Sequence, residues 1–140
     1  MDRKRIFREL VEEVWHRGDL SHIREAFSPA FVGNTPRHRL QSLSDFRVHV
    51  TTARAAFPDI RFDVHQQVAE GDYVSTRYTV RGTHVGPFLG LPPTGRPVTV
   101  EAMTLHRLSG GRIAESWTQW DTLGLLDELG ATIRLPGRVA

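Results

Sequence analysis

The chain has 140 residues, of which 39% are hydrophobic and 24% are charged. This length suits one domain with its own core, and this balance is typical of a folded protein rather than a disordered one. There is no cysteine, which excludes disulfides, thiolate metal sites and a cysteine nucleophile. The net charge is only +2, and the basic residues are dispersed along the chain, so nucleic-acid binding is not expected.

No apolar stretch approaches the roughly 20 residues that a membrane-spanning helix needs. The charged N-terminus has no apolar segment behind it, so it does not resemble a signal peptide. We therefore expect a cytoplasmic protein without membrane association. Residues 1–140 are predicted to form a single domain with a loose tail from about residue 131.

Helical patterns come first along the chain. Residues 3–16 place apolar side chains on one helical face, and Gly18 is suited to end that helix. A short second helix is predicted over 20–27, opened by Asp19 and stopped by Ser28-Pro29, and a strand over 30–32 follows it. A third helix is predicted over 45–57, with Ser44 or Asp45 as its N-cap and with Phe46, Val50, Ala53 and Phe57 on one side.

Strand patterns follow the helices. Four runs alternate or are rich in strand-forming residues: 60–68, 73–81, 98–108 and 112–120. A last short helix is predicted over 121–130, between Asp121 at the N-cap and Gly130 just past the C-terminus. Helices followed by antiparallel strands predict an α+β fold, with the helices packed on one face of a curved antiparallel sheet.

The segment 81–96 is too rich in glycine and proline for a helix or a central strand, and too apolar for a plain surface loop. We expect it to border a pocket whose wall is formed by the two strands that follow.

Side-chain alternation separates the two faces of the hairpin formed by 98–108 and 112–120. A three-residue turn over 109–111 would place Thr104 opposite Ser116, and would gather the even-numbered residues of both strands on one face. That set is small, polar and aromatic, which suits a cavity wall better than a solid core. Its members are Ala102, Thr104, His106, Ser116, Thr118 and Trp120.

The odd-numbered face carries large apolar residues ringed by charges. Met103, Leu105, Ile113 and Trp117 lie on it, beside Glu101, Arg107 and Glu115. We expect another copy of the chain to cover this outer face, giving a homodimer.

Several short motifs in a fixed order resemble the SnoaL-like polyketide cyclases, from about residue 5 to residue 130. They are Trp15 with Gly18-Asp19, 27–32, 56–61 (AFPDIR), 69–72 (AEGD), the segment 81–96, 111–113 (GRI) and 124–130. The resemblance implies the nuclear-transport-factor-2-like fold, a cone-shaped α+β barrel in which a bent antiparallel sheet surrounds a pocket that helices close. This agrees with the fold expected from the residue patterns.

The same resemblance implies a chemistry. Cyclases of this family close an anthracycline ring by intramolecular aldol condensation without metal or organic cofactor, using an aspartate as acid and base and a histidine on the neighbouring strand. With 111–113 and Gly124 in register, the aspartate position falls on Thr118 and the histidine position on Thr104. Neither threonine can transfer protons near neutral pH. Some family members are associated with hydroxylation of anthracycline rings together with a reductase-type partner, and these substitutions favour that branch or an unknown one.

Two residues remain as catalytic candidates. His106 belongs to the inward set and has a suitable pKa range for a base, although a rim position is an equal alternative. Asp121 is the nearest carboxylate to Thr118, but helix capping explains it more simply. Substrate-binding candidates besides the hairpin residues are Trp15, Asn34, Tyr78, His84 and Phe88, where core packing is the alternative for Trp15 and a structural loop role the alternative for His84.

Three functions remain open from the sequence. The first is a cofactor-independent enzyme of polyketide metabolism that acts on a hydrophobic, carbonyl-rich small molecule by cyclase-type acid/base chemistry. The second is a diverged hydroxylase-type relative that works with a reductase. The third is a non-catalytic protein that binds a hydrophobic ligand on the same scaffold. No metal-ligand spacing is present, so no metal is expected. The resemblance implies that no organic cofactor is needed either.

Overall fold

The computed structural model describes residues 2–137 and is an α+β fold built on a curved six-stranded sheet. Its helices are α1 (Arg3–Leu10), a π-helical continuation (Val11–His16), α2 (Ile23–Ala26), α3 (Leu43–Ala56) and α4 (Thr122–Glu128). Its strands are β1 (Phe27–Asn34), β2 (Arg39–Leu40), β3 (Arg61–Glu70), β4 (Tyr73–Thr83), β5 (Pro97–Ser109) and β6 (Arg112–Trp120). Within residues 2–137, no helix is both long enough and apolar enough to span a bilayer.

The strands lie in the order β2-β1-β6-β5-β4-β3. The sequence predicted an antiparallel sheet. Neighbouring strands are antiparallel except β1 and β6, which run parallel. Irregularities in β1, β3 and β6 add local twist, and such bulges bend a sheet around its contents. The helices cover the concave face and leave a cavity between themselves and β4–β6.

The apolar stripe of residues 3–16 forms one continuous helix as predicted, but its second half is π-helical. Gly18 ends it with a positive φ of 69°. The guanidinium of Arg54, on α3, donates hydrogen bonds to the carbonyl oxygens of Trp15 and His16. Because the last carbonyls of a helix lack partners within it, this contact fixes the end of the π-helical turn and with it the indole of Trp15.

Several predicted boundaries differ from the structure, and three of the differences have a clear local cause. The second helix is only Ile23–Ala26, since the side chain of Asp19 binds Ser21 in a turn instead of opening the helix. Strand β1 continues through Ser28-Pro29, which is possible because the pairing with β6 is irregular between Phe27 and Val32 and the proline need not donate there. The N-cap of α3 is Ser42, whose hydroxyl accepts from the backbone N–H of Asp45.

The β5–β6 hairpin has a two-residue turn rather than the predicted three-residue one. Gly110 and Gly111 both have positive φ, 58° and 76°, as a type I′ turn requires. That turn alone would pair even with odd positions, but a bulge before Glu115 shifts the register by one residue. Thr104 therefore lies opposite Thr118, two residues beyond the predicted partner, and the even-numbered residues still share a face.

The segment 84–96 is closed at its base by His84, whose backbone N–H donates to Arg96 and whose carbonyl oxygen accepts from Gly95. The segment then approaches the end of α3 so closely that a Cβ on Gly86 would lie 2.5 Å from the carbonyl oxygen of Ala55. Only glycine permits this approach. The resulting path brings Phe88 to the cavity lining, as the sequence predicted for a bordering segment.

Candidate functional site

The cavity lies between the concave face of the sheet and the helices. Its volume is about 150 Å³, and its lining is predominantly apolar and aromatic. Ligand sites in proteins have this character, with a few polar groups that orient the bound molecule. The polar groups on this lining are therefore the residues that decide its chemistry.

The sheet wall is the inward-facing set of the hairpin. Burial alternates strictly along β5 from Val98 to His106, because successive side chains point to opposite faces. The structure places all six residues expected from the alternation on the cavity lining: Ala102, Thr104, His106, Ser116, Thr118 and Trp120. Tyr78, Trp15 and Phe88 also line it.

Three hydroxyl groups form a row across the sheet wall. The phenol oxygen of Tyr78 lies 2.8 Å from Oγ1 of Thr104, which lies 3.0 Å from Oγ1 of Thr118. Desolvation raises the pKa of Tyr78 to about 12, so its proton is retained at neutral pH. When Tyr78, which is buried, donates to Thr104 and Thr104 donates to Thr118, the O–H of Thr118 has no partner within the row. Thr118 is only partly buried, so its O–H can donate to a ligand.

Two imidazoles face the same space. His106 is buried beside the ring of Phe7, at a centroid distance of 5.3 Å, and lies opposite Ser116. Desolvation lowers its pKa to about 4. Burial and the nearby imidazole of His38 lower the pKa of His49 to about 4 as well. Both rings are therefore neutral at physiological pH, and each offers one donor and one acceptor.

Three of the residues proposed from the sequence do not line the cavity. The carboxylate of Asp121 accepts from the backbone N–H of Gly124 at 2.8 Å and caps α4, so we correct its placement and assign it no part in the chemistry below. The side-chain amide of Asn34 donates to Glu115 and to the carbonyl oxygen of Ser116. The buried ring of His84 binds Thr94, which is the structural loop role considered above.

Sequence reasoning missed the polar residue of the helix wall, His49. Phe46, His49 and Ala53 of α3 line the cavity, together with Phe57 just after that helix. His49 is three residues from Phe46, so the helical period that placed Phe46 inward also places His49 there. Because only apolar residues were assigned to that stripe, the imidazole was overlooked. Arg81 and Gly82, at the start of the bordering segment, line the cavity too.

No carboxylate lies on the cavity lining formed by residues 2–137. The one group with metal-ligand geometry in that range is elsewhere, where Glu13, Asp19 and His22 bring their ligand atoms within 4.8 Å of one another. Its histidine is largely exposed, and Glu13 already binds it at 2.6 Å, raising the pKa of His22. This cluster is thus explained by its own ion pair.

Comparison with known proteins shows which family this arrangement belongs to. A sequence profile of the SnoaL-like polyketide cyclases matches residues 5–129. The chain belongs to the SnoaL-like polyketide cyclase family. Its relatives include the aklanonic acid methyl ester cyclase DnrD of Streptomyces peucetius, 29% identical over 110 residues that cover 76% of this chain and 72% of DnrD.

Solved SnoaL-like structures superpose over nearly the whole chain. AclR of Streptomyces galilaeus, provisionally assigned as a hydroxylase, has 33% identity and a TM-score of 0.82, covering 96% of this chain and 89% of AclR. IdmH of Streptomyces antibioticus, provisionally assigned as a polyketide cyclase, has 31% identity and a TM-score of 0.81, covering 94% and 100%. The α+β fold and the family resemblance predicted from the sequence are thereby confirmed.

In this SnoaL-like protein the two positions that the resemblance assigns to an acid/base pair, Thr104 and Thr118, lie opposite each other and are bonded to each other. They lie on the cavity, but as hydroxyls they can donate and accept hydrogen bonds without titrating near neutral pH. The groups on the cavity lining that can act as a base are the neutral imidazoles of His49 and His106.

Proposed function

We propose that the protein is an enzyme of polyketide metabolism that acts on a hydrophobic, carbonyl-rich small molecule inside this cavity, by acid/base chemistry without a cofactor. The observation that carries the proposal is the pairing of a neutral, buried imidazole with a row of hydroxyls on one wall of a mainly apolar cavity. The naming of DnrD as an aklanonic acid methyl ester cyclase supports the class of substrate.

His106 is the proposed base. It neighbours Thr104 on the same face of β5, so a carbonyl oxygen bound by the hydroxyl row would place adjacent C–H groups on the His106 side. Nε2 or Nδ1 would take the proton, and the resulting enolate carbon would form the new bond to a second carbonyl of the same molecule. The imidazolium would then return its proton to the alkoxide. The hydroxyl of Thr118 would stabilise the developing oxyanion.

Hydroxylation is a second candidate, favoured by the likeness to AclR and by the threonines at positions 104 and 118. Molecular oxygen would be the oxidant and a reductase-type partner would supply two electrons. One oxygen atom would enter the ring as a hydroxyl, and the other would leave as water with two protons. The apolar lining suits the polycyclic substrate of either reaction.

Non-catalytic ligand binding is the third candidate. It is favoured because residues 2–137 place no carboxylate on the cavity lining. The cavity would then hold its ligand through the same hydroxyls and imidazoles.

The three candidates are separated by incubation of the purified protein with aklanonic acid methyl ester. A cyclase produces an isomer of unchanged mass with a new chromatographic retention time, above the rate of a protein-free control. A hydroxylase leaves the ester unchanged alone and produces a species heavier by one oxygen when a reductase, NADPH and oxygen are supplied. Binding without product in either case supports the third candidate and contradicts the proposed enzyme.

Thr118→Asp provides a further arm of this assay. If the wild-type protein closes no ring and Thr118→Asp does, the cavity is that of a cyclase that has lost its carboxylate. If the wild-type protein and Thr118→Asp both close the ring, the wild-type base is a residue other than Thr118, and His106 is the candidate.

The outer face of the sheet supports the proposal of a homodimer. Tyr73, Met103, Leu105 and Trp117 leave 37–50% of their surface exposed on neighbouring strands, and Arg107 and Glu115 pair beside them at 3.6 Å. Large apolar side chains grouped on an open sheet face are typical of a surface that another subunit covers.

A further inference from the structure

Contacts with aromatic rings position the side chain of His49 in the helix wall. Its imidazole is nearly parallel to the indole of Trp120, with centroids 6.2 Å apart and planes at 17°. It meets the edge of Trp15 at 5.8 Å and 88°. These contacts fix the position of the ring while using neither of its nitrogens.

His49 and His106 both line the cavity. Burial lowers the pKa of both rings, and no hydrogen bond from residues 2–137 contributes to either shift. Both imidazoles are therefore available to a ligand in the cavity. Tyr78 and Thr104, by contrast, already bind each other. Since a polar group in apolar surroundings is costly without a partner, a ligand that supplies partners to both imidazoles gains affinity.

The two imidazoles lie toward opposite ends of the sheet wall. Trp120, which packs on His49, pairs with Ala102. His106 is four residues further along β5, which is roughly 13 Å in an extended strand. The hydroxyl row crosses the wall between them. Along the same cavity, Trp15, Phe62 and Tyr78 stack in succession at 4.8 Å and 5.2 Å, with interplanar angles of 23° and 10°. Since all three rings line the cavity, an aromatic ligand can pack against them edge to face or offset.

We propose that His49 and His106 bind the two ends of the ligand, so that the site selects an elongated, planar molecule with a hydroxyl or carbonyl group at each end. His49 is then a specificity-determining residue on the helix wall, separate from the sheet positions discussed above. The inference rests on the proposed function only in taking the cavity as the ligand site, and it requires no turnover.

Two anthraquinones provide a matched pair of probes. 2,6-Dihydroxyanthraquinone carries one hydroxyl at each end of its long axis, and 2-hydroxyanthraquinone carries one hydroxyl in total. Dissociation constants are measured by quenching of tryptophan fluorescence, since Trp15 and Trp120 both line the cavity. We expect the wild-type protein to bind the dihydroxy probe about tenfold more tightly, the usual value of one hydrogen bond.

His49→Phe keeps an aromatic ring but removes both nitrogens. It should weaken binding of the dihydroxy probe about tenfold, and should then bind the two probes within about twofold of each other. His106→Phe should do the same at the other end. His49→Gln retains a donor and an acceptor and should keep most of the discrimination, which separates lost hydrogen bonding from lost folding. His22→Phe, outside the cavity, should change neither constant.

Equal affinity of the wild-type protein for the two probes, or no binding of either, would overturn the inference. So would undiminished discrimination in folded His49→Phe. Its failure is distinct from that of the proposed function. If the protein shows the expected probe pattern but forms no product from aklanonic acid methyl ester, the two-ended site is supported and the proposed enzymatic function is contradicted.

Discussion

Replacing His106 by phenylalanine is expected to lower kcat/KM for ring closure by about 10²–10⁴-fold, the usual contribution of a positioned general base. The substitution keeps an aromatic ring beside Phe7, so the cavity wall is retained while the proton acceptor is lost. Rates of product formation from aklanonic acid methyl ester, compared between wild type and His106→Phe, measure the effect. His22→Phe serves as the control and should retain wild-type activity.

The pH profile identifies the base. Burial lowers the pKa of His106 to about 4, so the imidazole is the free base at all higher pH values. The kcat/KM of wild type should be constant from about pH 8 down to about pH 5, and should fall as the pH approaches 4. Activity of His106→Phe within about threefold of wild type, or a profile that falls near pH 6.5, would show that another group takes the proton.

A marked loss of stability in mild acid is the second large effect. His49 and His106 have pKa values of about 4 in the folded protein, against 6.5 in the unfolded chain. Above pH 6.5 both states hold these rings neutral. As the pH falls from 6.5 to 4, the unfolded chain binds protons that the folded protein excludes, so the free energy of unfolding decreases. Each histidine should account for a decrease of about 3 kcal/mol across this window.

Urea unfolding at intervals between pH 7 and pH 4 measures this decrease. His106→Phe should show a shallower pH dependence than wild type, and His49→Phe/His106→Phe a shallower one still. Comparing slopes rather than absolute stabilities removes the packing cost of each substitution, and the carboxylates contribute equally to all three proteins. Parallel curves for the three proteins would contradict the burial of neutral imidazoles.

The hairpin shows how far side-chain alternation predicts a site. Alternation identified the inward residues of β5 and β6 because one buried face imposes a period of two on both strands. It could not establish the register, since Ser109-Gly110-Gly111 permits either a two- or a three-residue turn. The bulge that restores the even-numbered face depends on packing against the rest of the sheet. The inward set was therefore predicted correctly. The partner of Thr104 was not, and Ile113, which was assigned to the outer face, is fully buried.

His49 and Asp121 show the limits on individual residues. His49 lies on a predicted helical stripe, but nothing local distinguishes an inward imidazole that meets a cavity from one that meets a solid core. Asp121 was considered because it is the carboxylate nearest to Thr118, whereas its side chain accepts a hydrogen bond from the N–H of Gly124. The capping role was predictable from the local sequence. That Asp121 does not line the cavity became clear only from the three-dimensional structure.

A crystal structure of His106→Phe with aklanonic acid methyl ester tests most directly whether this cavity is the functional site. Slow turnover in that variant should trap the unreacted ester. We predict that the ester lies between β4–β6 and α3, with a carbonyl oxygen within hydrogen-bond distance of Oγ1 of Thr118 and a polar group beside His49. An empty cavity at saturating ester, or an ester bound on the outer face of the sheet, would contradict this assignment.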